Sequence, residues 1–222
     1  MDYKKHFIPL ESDPKIFTKL MHDLGVSPSL SFIDVYSLED EMLNFIPHPV
    51  LALILALPSC PAYEQRTIEV PITTNPNEKE VVWLKQTINN ACGLYAILHA
   101  VCNMPSYIET GSPLHRLAQL ALSDCVEYLE ESEEIDRAYA RAAQKGASAA
   151  PCAEDEVDHH YICFVKHSDQ LYELDGDFDG PINRGFLTED EDILTGSACN
   201  IIRQYTKSEP DRTFALLALV KD

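Results

Sequence analysis

The sequence predicts one mixed domain, α/β or α+β, with helices covering a single sheet. Three observations predict it. Apolar residues switch repeatedly between helical and strand spacing, so helices and strands are interleaved along the chain. The stretch 50–57 is apolar without interruption, as expected of a strand covered on both faces. At 222 residues and 45% hydrophobic, the chain can bury a core without disulfides or a structural metal. No repeat or linker divides it, so 1–222 reads as one domain.

The elements follow in order. Asp13-Pro14 opens a helix, with Asp as cap and Pro in the first turn. Ile16, Phe17, Leu20, Met21 and Leu24 keep helical spacing, and Gly25 stops it. Residues 31–36 read as a strand, and Ser37 as the cap of a short helix with Asp40 in its first turn. Residues 50–57 form the central strand. A strand is expected over 67–72 and a strand entry over 81–85. Residues 90–103 are apolar nearly all round and predict a buried helix. Ser112-Pro113 starts another helix, and acidic helical sequence continues towards Arg141. Residues 142–158 lack periodicity and predict an exposed, mobile loop. Strands follow over 160–165 and 171–174. Thr188 and Glu191 form a capping box before a last helix, and 213–220 closes as an apolar strand.

Composition narrows the partners. Thirty-six acidic residues against 17 Lys and Arg give a formal charge of −19, which argues against nucleic acid and anionic membrane and favours a basic macromolecule. Solubility alone is the plain alternative use of that charge. The seven cysteines include no Cys-x-x-Cys pair, no signal-peptide core follows the N-terminus, and the longest apolar run is eight residues. A cytoplasmic or nuclear, reducing location is expected.

One cysteine has a setting for chemistry. Cys92 lies where an extended segment gives way to the apolar helix, so its thiol faces the positive end of the helix dipole and unsatisfied backbone N–H groups. Gln86 lies close upstream and could donate a second hydrogen bond to an oxyanion. Gly93 would let a substrate backbone approach. A buried structural cysteine is the competing reading. The late strands form a hairpin, and a turn over 166–169 would set His160 opposite Asp175, where imidazole and carboxylate could pair. His159, His160, Cys163 and His167 make a poor metal site because neighbours on a strand point to opposite faces. No metal or other cofactor is expected. Cys60, Cys102, Cys125, Cys163 and Cys199 read as core, and Cys152 as exposed without a role.

Three motifs, in order, resemble those of the ubiquitin C-terminal hydrolases, papain-like thiol peptidases. They are Gln86-Thr87-Ile88-Asn89-Asn90-Ala91-Cys92-Gly93, Val157-Asp158-His159-His160-Tyr161-Ile162, and Leu171-Tyr172-Glu173-Leu174-Asp175-Gly176 with Pro181-Ile182-Asn183-Arg184-Gly185. Upstream, Pro9-Leu10-Glu11-Ser12-Asp13-Pro14 and Phe32-Ile33-Asp34-Val35-Tyr36 look like the family's N-terminal segments, so the resemblance spans the chain. It implies a central antiparallel sheet sandwiched by helices, with a knotted backbone, in a short single-domain member like the fungal enzymes. It implies Cys92 as nucleophile, His160 as base, Asp175 as its orienting partner and Gln86 as oxyanion donor. His159, where relatives often carry an apolar residue, competes slightly for the base role. Residues 142–158 match the family's crossover loop, which limits leaving groups to small ones. Pro9 and Leu10 would meet the apolar part of ubiquitin, and Glu11 and Asp34 its arginines. The implied substrate is ubiquitin carrying small C-terminal adducts, with Nedd8 or an idle ubiquitin-binding role as alternatives, and a monomer is expected.

Overall fold

The computed structural model describes residues 3–66, 80–146, 153, 157–194, 196–208 and 213–221. Helix α1 (Pro14–Asp23) begins where the Asp13 carboxylate accepts hydrogen bonds from the Lys15 and Ile16 amides, at 2.6 and 3.2 Å. It ends before Gly25, whose φ of +99° suits a residue without Cβ. Strand β1 (Leu30–Asp34) and helix α2 (Asp40–Leu43) follow, then β2 (Val50–Pro58) and α3 (Pro61–Glu64). The middle of the chain is helical: α4 (Cys92–Cys102), α5 (Pro113–Leu117), α6 (Leu122–Glu131) and α7 (Glu133–Ala143). Strands β3 (His159–His167), β4 (Gln170–Leu174) and β5 (Ile182–Phe186), helix α8 (Gly196–Ser208) and β6 (Ala215–Lys221) complete it.

The strands form one antiparallel sheet in the order β1-β6-β2-β3-β4-β5. Alternation along β2 divides the core. Ala52, Ile54 and Ala56 face a cluster that includes α1 and α4, whereas Leu53, Leu55 and Leu57 face one that includes α8. Strands β3 and β6 divide the same way, with Cys163 and Leu217 on the first face and Phe164 and Leu216 on the second. Apolar residues at every position of β2 therefore follow from burial between two helical layers.

Several expectations are corrected. Residues 81–85 form no strand and join no sheet. Asn103 accepts from the Val82 amide and donates to its carbonyl, at 2.8 and 3.0 Å, and buried His99 accepts from the Leu84 amide at 3.0 Å. Side chains of α4 and of its C-cap residue Asn103 thus supply the partners a neighbouring strand would have given. Ser37 accepts from the Glu39 amide, but α2 starts only at Asp40 and has no side-chain cap. Glu191 accepts from the amide and hydroxyl of Thr188, but this closes a turn, and α8 begins at Gly196. Ala142 and Ala143 belong to α7 and are buried rather than part of an exposed loop. The strand expected over 67–72, most of the loop beyond residue 146, and Cys152 lie outside the described residues.

The hairpin register also differs. Its turn is only Ser168 and Asp169, both with positive φ (48° and 56°), as a two-residue hairpin turn requires. Cys163 pairs with Leu174 and His167 with Gln170, so Asp175 lies just past the ladder and His160 pairs with Leu57 of β2 instead. Extended outward, the β3–β4 register would set His160 against Asp177. The displacement from the expected pairing is an even number of residues. His160 and Asp175 therefore keep to one face of the sheet, as diagonal rather than direct neighbours.

Candidate active site

Cys92 is the first residue of α4, and every residue of that helix is buried. The helix is packed rather than capped. Ala91 at its N-cap makes no side-chain hydrogen bond, so the amides of the first turn remain available. Gly93 lets Leu10 and Phe17 close in, since a Cβ there would sit 3.2–3.3 Å from their side chains. The approach to Cys92 is held from two sides. Asn90 takes a left-handed φ of 57°, and its side-chain amide donates to the Ala153 carbonyl at 2.9 Å. The Tyr139 hydroxyl bridges the carbonyls of Ile8 and Asn90, tying the N-terminal segment to the turn before the thiol.

His160 stands at the start of β3, with its ring 16% exposed. Nε2 pairs with Asp175 Oδ1 at 2.6 Å, which leaves Nδ1 as the nitrogen free to exchange a proton with sulfur. Burial pushes the imidazole down. The hydrogen bonds and charges of Asp175 and Cys92 outweigh burial and hold it well above its ordinary value, so the ring is stabilised as imidazolium. His159, by contrast, is exposed and contacts the Thr213 carbonyl at 3.0 Å.

Asp175 rests on charged groups that sequence patterning does not flag. Arg66 donates to Asp175 Oδ2 at 2.6 Å and to Glu173 Oε1 at 2.7 Å, with only 4% of its side chain exposed. Tyr63 donates to Asp175 Oδ2 at 3.0 Å, and the Arg66 guanidinium stacks on its ring at 3.7 Å. Glu173 in turn accepts from Arg184 and Tyr205, each at 2.9 Å. Burial raises the Asp175 carboxyl, but His160 and Arg66 together hold it well below the usual carboxylate range. The Asp175 carbonyl accepts from the Trp83 indole at 2.8 Å, which ties the aspartate to the segment before Cys92. No short motif contains Arg66. Only the fold brings it beneath Asp175.

Gln86 is 4% exposed, and its backbone amide donates to the Gly176 carbonyl at 2.8 Å. A Cβ at position 176 would fall 2.8 Å from the Gln86 Cβ, so glycine permits this approach. Among the described residues, the buried Gln86 Oε1 has no hydrogen-bond partner. The structure thus gathers Cys92, His160, Asp175 and Gln86 at one end of the sheet.

Cys92 also lines a groove of about 300 Å³ with Pro9, Glu11, Asp158 and Tyr161. Leu10 borders this groove but is 5% exposed and packs in the core beside Gly93, so its main contact is internal. Asp34 lies apart, in a surface groove between α1 and β1, and accepts from the Tyr36 hydroxyl at 2.9 Å. Cys60, Cys102, Cys125, Cys163 and Cys199 are buried free thiols, and burial pushes Cys102 up to about 12.

Residues 7–207 match the family described as ubiquitin carboxyl-terminal hydrolase, family 1. The chain belongs to this family. A ubiquitin carboxyl-terminal hydrolase of Drosophila melanogaster is 33% identical, over 95% of this chain and 96% of its own length. Ubiquitin carboxyl-terminal hydrolase 3 of Arabidopsis thaliana is 34% identical, over 98% and 95%. The human ubiquitin carboxyl-terminal hydrolase isozyme L1 is 32% identical, over 96% and 97%. The fold agrees with that of the Trichinella spiralis UCH37 catalytic domain, solved bound to ubiquitin vinyl methyl ester. Its TM-score is 0.78 at 22% identity, covering 99% of this chain and 97% of that one. The α+β architecture described above is therefore the ubiquitin C-terminal hydrolase fold.

Proposed function

We propose that the chain hydrolyses bonds to the C-terminal Gly of ubiquitin through an acyl-enzyme on Cys92. One observation carries this reading. A cysteine at an uncapped helix start lies within interaction range of an imidazole whose other nitrogen is held by a buried carboxylate at 2.6 Å. In this reading the Cys92 thiolate attacks the Gly carbonyl carbon. The Cys92 backbone amide and the Gln86 side chain hold the oxyanion. The His160 imidazolium gives its proton to the leaving nitrogen as the C–N bond breaks. His160 then takes a proton from water as it attacks the thioester, and the adduct collapses to ubiquitin and the Cys92 thiolate, which restores the thiolate–imidazolium pair.

The groove beside Cys92 is proposed to take the ubiquitin tail, with Glu11 and Asp158 favouring its arginines. Exposed Tyr36 beside Asp34 is proposed to meet ubiquitin further from the thiol. Nedd8 is not preferred as substrate, since the relatives above are named for ubiquitin.

The test is covalent capture. Ubiquitin vinyl methyl ester should add to the wild-type chain and not to Cys92→Ala, which should still bind unmodified ubiquitin. Labelling that persists in Cys92→Ala would sink the assignment of the nucleophile, and an idle binding protein would take no label at all.

A further inference from the structure

Asp177 is a second carboxylate beside the catalytic ring. Its Oδ2 lies 3.7 Å from His160 Nδ1, too far for a hydrogen bond but close enough for a charge interaction. Nδ1 is the nitrogen that faces away from Asp175, and hence the one that must hand a proton to the leaving group. The Asp177 side chain is 45% exposed, and His160 is its one ion-pair partner recorded among the described residues. The loop that carries it is fixed. The Asp177 amide donates to Asp175 Oδ1 at 2.9 Å, and the Lys85 ammonium holds the carbonyls of Asp177 and Phe178 at 3.0 and 2.8 Å. Lys85 is thus spent on backbone and on neighbouring Asp179, not on the Asp177 carboxylate.

The position relative to the groove gives Asp177 its meaning. Neither His160 nor Asp177 lines the groove that reaches Cys92 past Glu11 and Asp158. A tail lying in that groove delivers its carbonyl to the sulfur and sends the leaving nitrogen towards the imidazole. General-acid transfer brings that nitrogen within roughly 3 Å of Nδ1, hence within about 7 Å of the Asp177 carboxylate. Any group a few bonds beyond the scissile nitrogen enters the field of Asp177.

We propose that Asp177 selects leaving groups carrying positive charge close to the scissile nitrogen, such as peptides that begin with Lys or Arg. The proposal rests on the hydrolase reading above and adds to it the chemistry of the departing group. The preference is local to the imidazole side of the site. It is separate from the diffuse attraction of a chain with net charge −19, which acts on the whole ubiquitin moiety.

The experiment uses three ubiquitin fusions with the same short C-terminal peptide, differing only in its first residue: Lys, Gln or Glu. Wild type, Asp177→Asn, Asp177→Lys and a control, Glu133→Gln, are compared by kcat/KM at low salt. Glu133 is 85% exposed on α7, so its variant makes the same charge change elsewhere. Wild type should favour Lys over Glu by roughly fivefold, the scale of a partly exposed charge pair. Asp177→Asn should bring that ratio towards one, Asp177→Lys should invert it, and Glu133→Gln should keep it. The proposal is overturned if Asp177→Asn lowers all three fusions by one factor, because Asp177 would then act through His160. It is also overturned if Glu133→Gln shifts the ratio as much as Asp177→Asn. Cleavage of all three fusions at equal rates by wild type would remove this proposal alone, whereas no cleavage of any would remove the hydrolase reading with it.

Discussion

Around Cys92 the protein is apolar and tightly packed; around Asp175 it is charged and densely hydrogen-bonded. The start of α4 is placed by contacts such as Leu10 and Phe17 closing on Gly93, which require shape and no specific hydrogen-bond partner. Asp175 and Glu173 are placed by Arg66, Arg184, Tyr63 and Tyr205, each with a specific donor and acceptor. The difference teaches how each half tolerates change. Packing yields gradually as volume is altered. A buried charge network fails abruptly, because a removed partner leaves buried charge only partly compensated.

Arg66→Met should therefore have the largest effect. It strips Asp175 of its guanidinium and leaves Glu173 with Arg184 as its cation. Stability should fall by about 3–5 kcal/mol, the usual result of breaking a buried pair from one side. Urea unfolding monitored by Trp83 fluorescence measures it. A loss below about 1 kcal/mol would show that Arg66 is not a structural support of Asp175, and that the charged half yields as gradually as the packed one.

Gly93→Ala is the matching change in the apolar half. The added methyl would press on Leu10 and Phe17 from 3.2 and 3.3 Å, contacts that side chains can relieve by small shifts. A loss of about 1–3 kcal/mol is expected, smaller than for Arg66→Met. Because the strain bears on the residue after Cys92, kcat should fall together with stability. A kcat that stays at the wild-type level while stability drops would show that packing around Gly93 does not position the thiol.

The two halves were also unequally legible in the sequence. The Cys92 half is written locally. Asp13-Pro14, Gly25, the all-apolar helix and the start of α4 depend on near neighbours, and the structure shows each of them. The base half is written in topology. His160 and Asp175 do meet, but through a tighter turn than expected, with Asp175 beyond the ladder. They meet because an even displacement of register preserves the face of a strand. Arg66 gave no signal, since a lone arginine after a four-residue helix is unremarkable until tertiary structure carries it under the sheet's end. Residues 81–85 misled in the opposite direction. Their strand-like pattern is real, but His99 and Asn103 take the place of a neighbouring strand.

The smallest effect should appear as a change in pH dependence. The His160 pKa is raised in the fold, so its pairing stabilises the protein fully below the unfolded value of about 6.5 and is lost as pH rises through the folded value. The Asp175 pKa is lowered, so its contribution is present above about 3.9 and is lost as pH falls through the folded value. Both contributions are complete between roughly pH 4 and 6.5. The stability gap between wild type and Asp175→Asn should be widest in that window and should narrow above it. It should not close, because the Arg66 guanidinium stays charged and in contact with Asp175 as pH rises. The same substitution lowers the pKa of the ring, so the alkaline limb of kcat/KM should move to lower pH. A limb that stays in place would mean that the proton lost there is not held between His160 and Asp175, and the charged half of the site would then be scaffold rather than part of the proton path.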